Sequence, residues 1–504
     1  MKTMEKSISF QVFYQSMGLN GYPFRDRTAE KEDTDKLFIH PINFSQLQDV
    51  MDNNQTAIIC GNRGSGKTIT LANLKSKISN DRLVCLIDNY EDVGLLNNRM
   101  DFYSLILKNL TRSMLIYLSK NKKKLRTATK NDKLLLSFLI KKYGCSITDS
   151  QLKIQLESVQ LKWWQKFINR LSAPITTVLN YGGTAVTNFG NELLTKHFGA
   201  YLPDVSSATV KSIFPEIQFP IENQFSNLDI SYSMLDMVLS MIYNLTGNIP
   251  IILLDKLDED IRLENDAELV ASFFKDLVCD NNLLLNSNVQ LLISVWKIPF
   301  LMLGTIFRAS KHTVYYIDWD YDQLTLALNN RLAVYSNKAI NDFKALFDVD
   351  VTEADLSAIY ELSNANPRDL WSIFDALFQA QYEIDSNSKL IGHNAISRGL
   401  YKFVSSFQFY EYYPRKKNAQ RNTNDIYSYI RYLLKLKDTD EFTQEELGTK
   451  ASTGGSTTNY ITGMMNIGLV RKTDQKRPGG AVIYKINDPK VTYAIFNDIE
   501  ISHN

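Results

Sequence analysis

The chain has 504 residues, a formal net charge of +1, 44% apolar and 22% charged residues; at roughly 100–200 residues per domain this predicts about three units and excludes a single core. The balanced charge excludes bulk attraction to nucleic acid or membrane, so any such contact has to be local. Four widely spaced cysteines, Cys60, Cys85, Cys145 and Cys279, exclude a disulfide scaffold or a zinc ribbon, and the lack of a signal-peptide core or an apolar run near ~18 residues predicts a cytoplasmic protein without an integral membrane segment.

Residues 1–50 read as an extended arm followed by a helix. Gly21-Tyr22-Pro23-Phe24 and the charged run Thr28–Lys36 break helical continuity, and Leu37-Phe38-Ile39-His40-Pro41 leads into a helix from about Asn43 to Asp52. His40 reads as structural. The arm's apolar tips have two equally weighted destinations, the base of a nucleotide bound just downstream or the edge of a sheet.

Thr56–Cys60 is an apolar run that reads as a buried strand. Gly61-Asn62-Arg63-Gly64-Ser65-Gly66-Lys67-Thr68 follows, fitting G-x-x-x-x-G-K-S/T, and then Ile69, Leu71, Leu74 and Ile78 mark one face of a helix. Strand, glycine loop and helix are the context this pattern requires. Glycines let main-chain amides turn inward around a polyphosphate, and the helix N-terminus adds its positive end. Lys67 is placed to reach the β- and γ-phosphates and Thr68 to hold Mg²⁺, so ATP and Mg²⁺ are the expected ligands.

Four more apolar runs, Leu83–Ile87, Pro250–Leu254, Val289–Val295 and Thr313–Ile317, alternate with helical patterns. The expected fold is α/β, a doubly wound, mainly parallel five-stranded P-loop NTPase core. Asp255 ends its strand where the glycine loop opens and is the second candidate Mg²⁺ residue. Lys256 follows where many ATPases have Glu, so Asp258 or Glu259 must supply the carboxylate that polarises water, unless both only cap the next helix. Ser294 and Lys297, at the end of the fourth strand, are candidates to contact the γ-phosphate or the water.

The span between Lys67 and Asp255 is too long for a compact core, so a helical insertion is expected at about 100–228, with an amphipathic Phe102–Leu118 and a basic turn at Lys120–Arg126. Leu134–Ile140 reads as a further helix, and Trp163-Trp164 with 174–198 as core, or else as a partner-binding or membrane-surface element. From Asp318 the pattern changes to short amphipathic helices, with Trp319, Leu324, Leu328 and Leu332 on one buried face of a lid. Arg308 and Arg331 are candidate donors to a neighbouring subunit's nucleotide, hence a homo-oligomer. In Asn366-Pro367-Arg368-Asp369, proline at a first helical turn puts Arg368 near a helix N-terminus, within reach of a γ-phosphate, unless it pairs with Asp369 or Glu361.

An aromatic and basic linker ends in Arg415–Arg421, and a helix at Ile426–Leu436 follows. Thr443–Glu446 is a capping box opening a second helix, and Gly454–Tyr460 opens a third. Leu469–Thr473 and Ala481–Ile486 then form a hairpin, which completes a winged helix. Residues 415–486 hold 13 Lys and Arg against 7 Asp and Glu. Lys476 and Arg477 on the wing and Ser456, Thr457, Thr458 and Asn459 at the third helix are the candidate contacts to double-stranded DNA, although a winged helix also serves as a protein dock. The expected units are 1–50, 51–317, 318–400, 401–424 and 425–504.

The glycine loop, the Asp-ended strand, the lid with Asn366-Pro367-Arg368 and the C-terminal winged helix together resemble the AAA+ and STAND ATPases. The branch with origin-recognition initiators is the most similar, along with bacterial ATPases of the same order that occur in antiphage defence loci. The resemblance covers roughly residues 20–100 and 245–490. It implies that Lys67 and Thr68 bind phosphate and Mg²⁺, Asp255 is the Walker B acid, Arg368 the sensor-two arginine and Ser294 the sensor-one position. Lys256 and Ser294 depart from the usual Glu and Asn, which weakens the case for rapid hydrolysis. The expected function is a Mg²⁺-dependent ATPase acting as a nucleotide-gated switch on DNA in antiphage defence. The alternative is an ATP-binding scaffold that hydrolyses weakly and docks a protein effector encoded nearby.

Overall fold

Five apolar strands build the central sheet: β1 (Ala57–Gly61), β2 (Val84–Ile87), β3 (Ile251–Leu254), β4 (Gln290–Trp296) and β5 (Thr313–Tyr316). All pair in parallel, in the order β2-β3-β4-β1-β5. Every residue of β1, β3 and β4 is buried, whereas the edge strands β2 and β5 each expose side chains. That is why the inner strands are continuous apolar runs rather than alternating ones. The computed structural model describes residues 8–25, 34–78, 82–126, 228–416 and 424–501, with scattered positions between 128 and 139. Expectations about Cys145, most of 134–140, Trp163-Trp164, 174–198 and Lys417–Arg421 lie outside the described residues, as does most of the insertion.

Helices cover both faces. Lys67–Ser76 follows the glycine loop, Arg99–Lys120 packs against Leu228–Thr246 and β2, and Ala267–Val278 packs on the other elements of the core. The expected basic turn is a 3-10 helix, Lys122–Arg126, with Lys123, Lys124 and Arg126 exposed around buried Leu125.

The lid consists of helices Tyr321–Tyr335, Glu353–Ser363, Pro367–Ile384 and His393–Ser405. The last two cross closely at Gly399, where a Cβ would lie 2.7 Å from Leu377 Cδ2 and 3.0 Å from its Cα. The chain's start departs from the expected extended arm. Ser9 caps a helix, Phe10–Ser16, whose Phe13 and Tyr14 are buried; the Phe10, Phe13, Tyr14, Met17 spacing is helical. This helix and Gly21–Phe24 pack on the lid rather than on the sheet edge. Phe24 stacks on Phe374 at 5.3 Å, and Tyr22 donates to Asp375 Oδ1 at 2.7 Å.

The C-terminal unit runs helix Ile426–Leu433, β6 (Glu441–Thr443), helix Gln444–Lys450, helix Thr457–Asn466, β7 (Val470–Lys476), β8 (Val482–Ile486) and helix Pro489–Phe496. β8 pairs antiparallel with both β6 and β7. The expected capping box is present, Thr443 accepting from Glu446 N while the Glu446 carboxylate accepts from Thr443 N. Strand β6 was not expected, because three residues ending in a cap carry no periodicity. β7 also runs three residues further than expected, through a register shift between Lys472 and Lys476 that lets pairing resume at Val482.

A buried cation ties this unit to the lid. Lys490 is fully buried, 3.1 Å from Asp369 Oδ2 on the lid and 3.6 Å from Asp488 Oδ1, with its Nζ 4.5 Å from the Phe407 ring. Burial alone would lower the lysine's pKa, but Asp488 and Asp369 outweigh it and hold the ammonium charged. Lys490→Met should therefore lower the unfolding free energy by about 3–5 kcal/mol, since two carboxylates stay buried without their cation. The shift in urea midpoint measures this, and adding Asp369→Asn and Asp488→Asn should recover part of the loss.

Candidate functional site

β1 delivers the chain to the carboxyl edge of the sheet, where α/β folds place ligands. There the glycine loop turns, with Gly64 at φ +82° and Gly66 at φ +97°, a region L side chains rarely adopt. Four of its carbonyls meet side-chain donors. Lys67 Nζ donates to Gly61 O at 3.1 Å and Asn62 O at 3.2 Å, Asn366 Nδ2 to Arg63 O at 2.7 Å and Trp319 Nε1 to Ser65 O at 2.9 Å. Burial pushes the Lys67 ammonium below its ordinary pKa, while Asp258 and Asp255 pull it back.

The acids beyond β3 separate by their partners. Asp255 is buried and accepts from Ser294 Oγ at 2.6 Å. Ser294, on the adjacent strand β4, therefore orients this carboxylate. Asp258 is also buried, and Arg63 grips it, Nε to Oδ2 at 2.8 Å and Nη2 to the carbonyl at 2.9 Å. The same guanidinium donates to Asn265 Oδ1 and lies 4.2 Å over the Trp296 ring. Asp258 is thus committed to an ion pair. Glu259 is exposed at the pocket wall, and desolvation of its carboxyl, then the Asp258 charge, raise its pKa above the ordinary 4.5. Lys256 sits between them in a left-handed turn at φ +60°.

One pocket gathers Gly64, Gly66, Lys67, Thr68, Asp255, Glu259 and Arg368. Leu37, Phe38 and Ile39 line it too. His40 stacks on Phe44 at 4.4 Å, a structural role. Arg368 pairs with neither Asp369 nor Glu361; its Nη1 lies 3.9 Å from Glu411 Oε2. Arg331 is buried, 5.0 Å over the Trp371 ring, and lines the same pocket, so the expectation that it serves a neighbour does not hold. Arg308 is exposed just before β5. Lys297 lies 3.7 Å from Asp318, away from the expected phosphate contact.

On the C-terminal unit, Ser456, Thr458, Asn459, Arg471, Lys472, Lys476 and Arg477 are exposed. Thr457 is buried, its hydroxyl bonded to Gly454 O and sharing a hydrogen bond with Thr453, which removes it from the candidate DNA contacts. Arg477 lies 3.6 Å from Glu446.

The donor set suits Mg²⁺: the Thr68 hydroxyl and the Asp255 carboxylate are hard oxygen ligands lining one pocket. Among the described residues no group of three or more His, Cys, Asp or Glu could hold a metal by itself. Among the described residues no helix is long and apolar enough to cross a membrane.

No protein-family model matches the chain, and no curated protein does. Among solved structures, the crystal structure of Cdc6p from Pyrobaculum aerophilum is similar at 12% sequence identity, covering 96% of this chain and 99% of that one with a TM-score of 0.30. So loose an overlay does not reach the placement of side chains.

Sequence reasoning missed Trp319, Asn366 and Tyr412 as partners of the loop; Tyr412 OH accepts from Asn62 Nδ2 at 2.8 Å. Asn366 alone carried a signal, as an Asn before a proline-started helix. The two acids should behave differently on substitution. Asp258→Asn should cost about 2 kcal/mol, because it weakens charge-assisted bonds to a half-buried guanidinium, whereas exposed Glu259→Gln should stay within ~0.5 kcal/mol of the parent. Urea unfolding of both variants compares them directly.

Proposed function

We propose that this chain is a Mg²⁺-dependent, AAA+-type ATPase acting as a nucleotide-gated switch on duplex DNA. The observation that carries the reading is the convergence of Lys67, Thr68, Asp255, Glu259 and Arg368 on one pocket at the carboxyl edge of a parallel sheet. Loop amides and the helix N-terminus would cradle the polyphosphate, and Lys67 would leave the Gly61 and Asn62 carbonyls for the β- and γ-phosphates. Thr68 and Asp255 would hold Mg²⁺, which would supply charge neutralisation at the phosphates. Glu259 is the base in this reading, since Arg63 occupies Asp258. Water oxygen bonds the γ-phosphorus as the bond from that phosphorus to the β–γ bridging oxygen breaks, and the water proton passes to Glu259. Arg368 meets the charge on the γ-phosphoryl group.

The helix, strand, helix, helix and hairpin order of the C-terminal unit supports a winged-helix reading. Exposed cations on β7 and its tip would lie along the phosphate backbone, with Ser456, Thr458 and Asn459 at the groove. Exposed Arg308 is the donor to a neighbour's nucleotide if copies assemble. A role in antiphage defence rests on the resemblance in motif order alone, and a cytoplasmic setting on the lack of a signal-peptide core or a membrane-length apolar run in the sequence. A second reading, an ATP-binding scaffold with weak turnover that docks a protein effector, draws on Lys256 after Asp255 and on the sequestered Asp258.

Lys67→Ala should weaken ATP binding at least about tenfold by calorimetry; binding as tight as the parent's would remove the reading. Glu259 works deprotonated, so turnover should fall as pH drops through its raised pKa, above 4.5, and Glu259→Gln should abolish turnover together with that acid limb. Turnover unchanged in Glu259→Gln favours the scaffold.

The wing should contact phosphates. Lys476→Ala with Arg477→Ala should reduce the slope of log affinity against log salt by about 2 on duplex DNA. No duplex binding near ~50 mM salt, with or without ATP, rules the DNA function out.

A further inference from the structure

Residues 407–416 run between the glycine loop, the lid and the C-terminal unit. Tyr412 reaches two of them, the loop and the C-terminal unit: its hydroxyl accepts from Asn62 Nδ2 at 2.8 Å, and its ring lies 5.5 Å from the buried Lys490 ammonium. Its neighbour Tyr413 donates to Asp488 Oδ2 at 3.0 Å. On the core side, Asn265 donates to Tyr410 O at 2.7 Å while accepting from Arg63 of the glycine loop. Glu411 adds a contact to the lid, 3.9 Å from the Arg368 guanidinium that also lines the pocket.

Two anions therefore address one arginine. Glu411 is 67% exposed and Arg368 38%, so their pair is screened and weak. A γ-phosphate brings more charge into a more enclosed position, and takes the guanidinium by competition. A diphosphate lacks that group and leaves the pair in place.

We propose that Tyr410–Arg415 is a strap that senses the terminal phosphate: Glu411 holds Arg368 until a triphosphate takes it, and Tyr412 carries the change from the glycine loop to the C-terminal unit. This rests on the reading of the pocket as an ATP site and adds the device that distinguishes ATP from ADP. Glu411 and Tyr412 are positioning residues, touching Arg368 and Asn62 rather than the reacting atoms.

The test measures ATP and ADP affinities of the full chain by calorimetry for the parent, Glu411→Gln, Glu411→Asp and Tyr412→Phe, with amide exchange of 407–416 and 489–496 at saturating nucleotide. Glu411→Gln should tighten ATP by about two- to fivefold, the strength of a half-exposed pair, and leave ADP unchanged. Glu411→Asp should restore part of the parent's ratio. Tyr412→Phe should keep both affinities within about twofold yet lose the ATP-specific change in exchange at 489–496. If the parent binds ATP but Glu411→Gln shifts ATP and ADP equally, or neither, the strap is wrong and the ATP reading stands. A parent that binds neither nucleotide overturns both.

Discussion

A glycine loop that turns its amides toward an anion has to find donors for the carbonyls it turns outward. In this protein the donors come from two places. Lys67 and the Thr70 amide serve Gly61, Asn62 and Gly66 from the loop's own helix, while Asn366 and Trp319 serve Arg63 and Ser65 from the lid. The open loop is consequently a joint product of core and lid. Asn366 does this while capping its own helix, its Oδ1 accepting from Arg368 N. One amide group thus starts the lid helix, fixes its distance from the loop and sets Arg368 at its first turn. Gly64 makes the approach feasible, because a Cβ there would stand 2.6 Å from Asn366 Oδ1 and 2.9 Å from Arg368 Cβ.

The electrostatics follow from the same closeness. Three carboxylates within five residues, next to a half-buried lysine, would repel one another unless each had a separate partner. Ser294 takes Asp255, Arg63 takes Asp258, and Glu259 remains at the solvent edge. Arg63 can do so because Trp296, at the end of β4 and level with Gly61, gives its guanidinium a face to lie on. A loop residue that the sequence pattern leaves unspecified thereby determines which acid is available as a base.

What was legible in the sequence was whatever local chemistry dictates. Inner strands buried on both faces need unbroken apolar runs, glycines mark the left-handed loop, and Thr443 with Glu446 writes its capping box in four letters. The helix Phe10–Ser16 was equally local, its spacing present but outweighed by the nearby Gly21 and Pro23. The partners of the loop were not legible. Trp319 and Tyr412 stand about 250 and 350 positions from the loop residues they bind, and periodicity reports which face of an element is buried, never what lies opposite. Arg331 illustrates the limit: an arginine on an amphipathic helix reads as a surface donor, and only the fold shows Trp371 beneath it.

Rigidity is distributed unevenly around the pocket, and this sets which boundary can yield. Between lid and C-terminal unit stands a fully buried ammonium with two carboxylates, Asp369 and Asp488; separating them would strand charge in a medium that cannot solvate it. Between loop and linker stands an amide–hydroxyl bond, Asn62 to Tyr412, and between lid and linker a screened pair, Arg368 with Glu411. Contacts of that kind exchange for water at little cost. Lid and C-terminal unit are therefore the firmly joined pair, and the lid's own bonds to the loop, Asn366 to Arg63 O and Trp319 to Ser65 O, hold that pair to the core. Arg368 and Asp369 sit side by side at this division, one facing the exchangeable pair and the other the buried one, so a ligand that moves the first acts on the rigid assembly through the second.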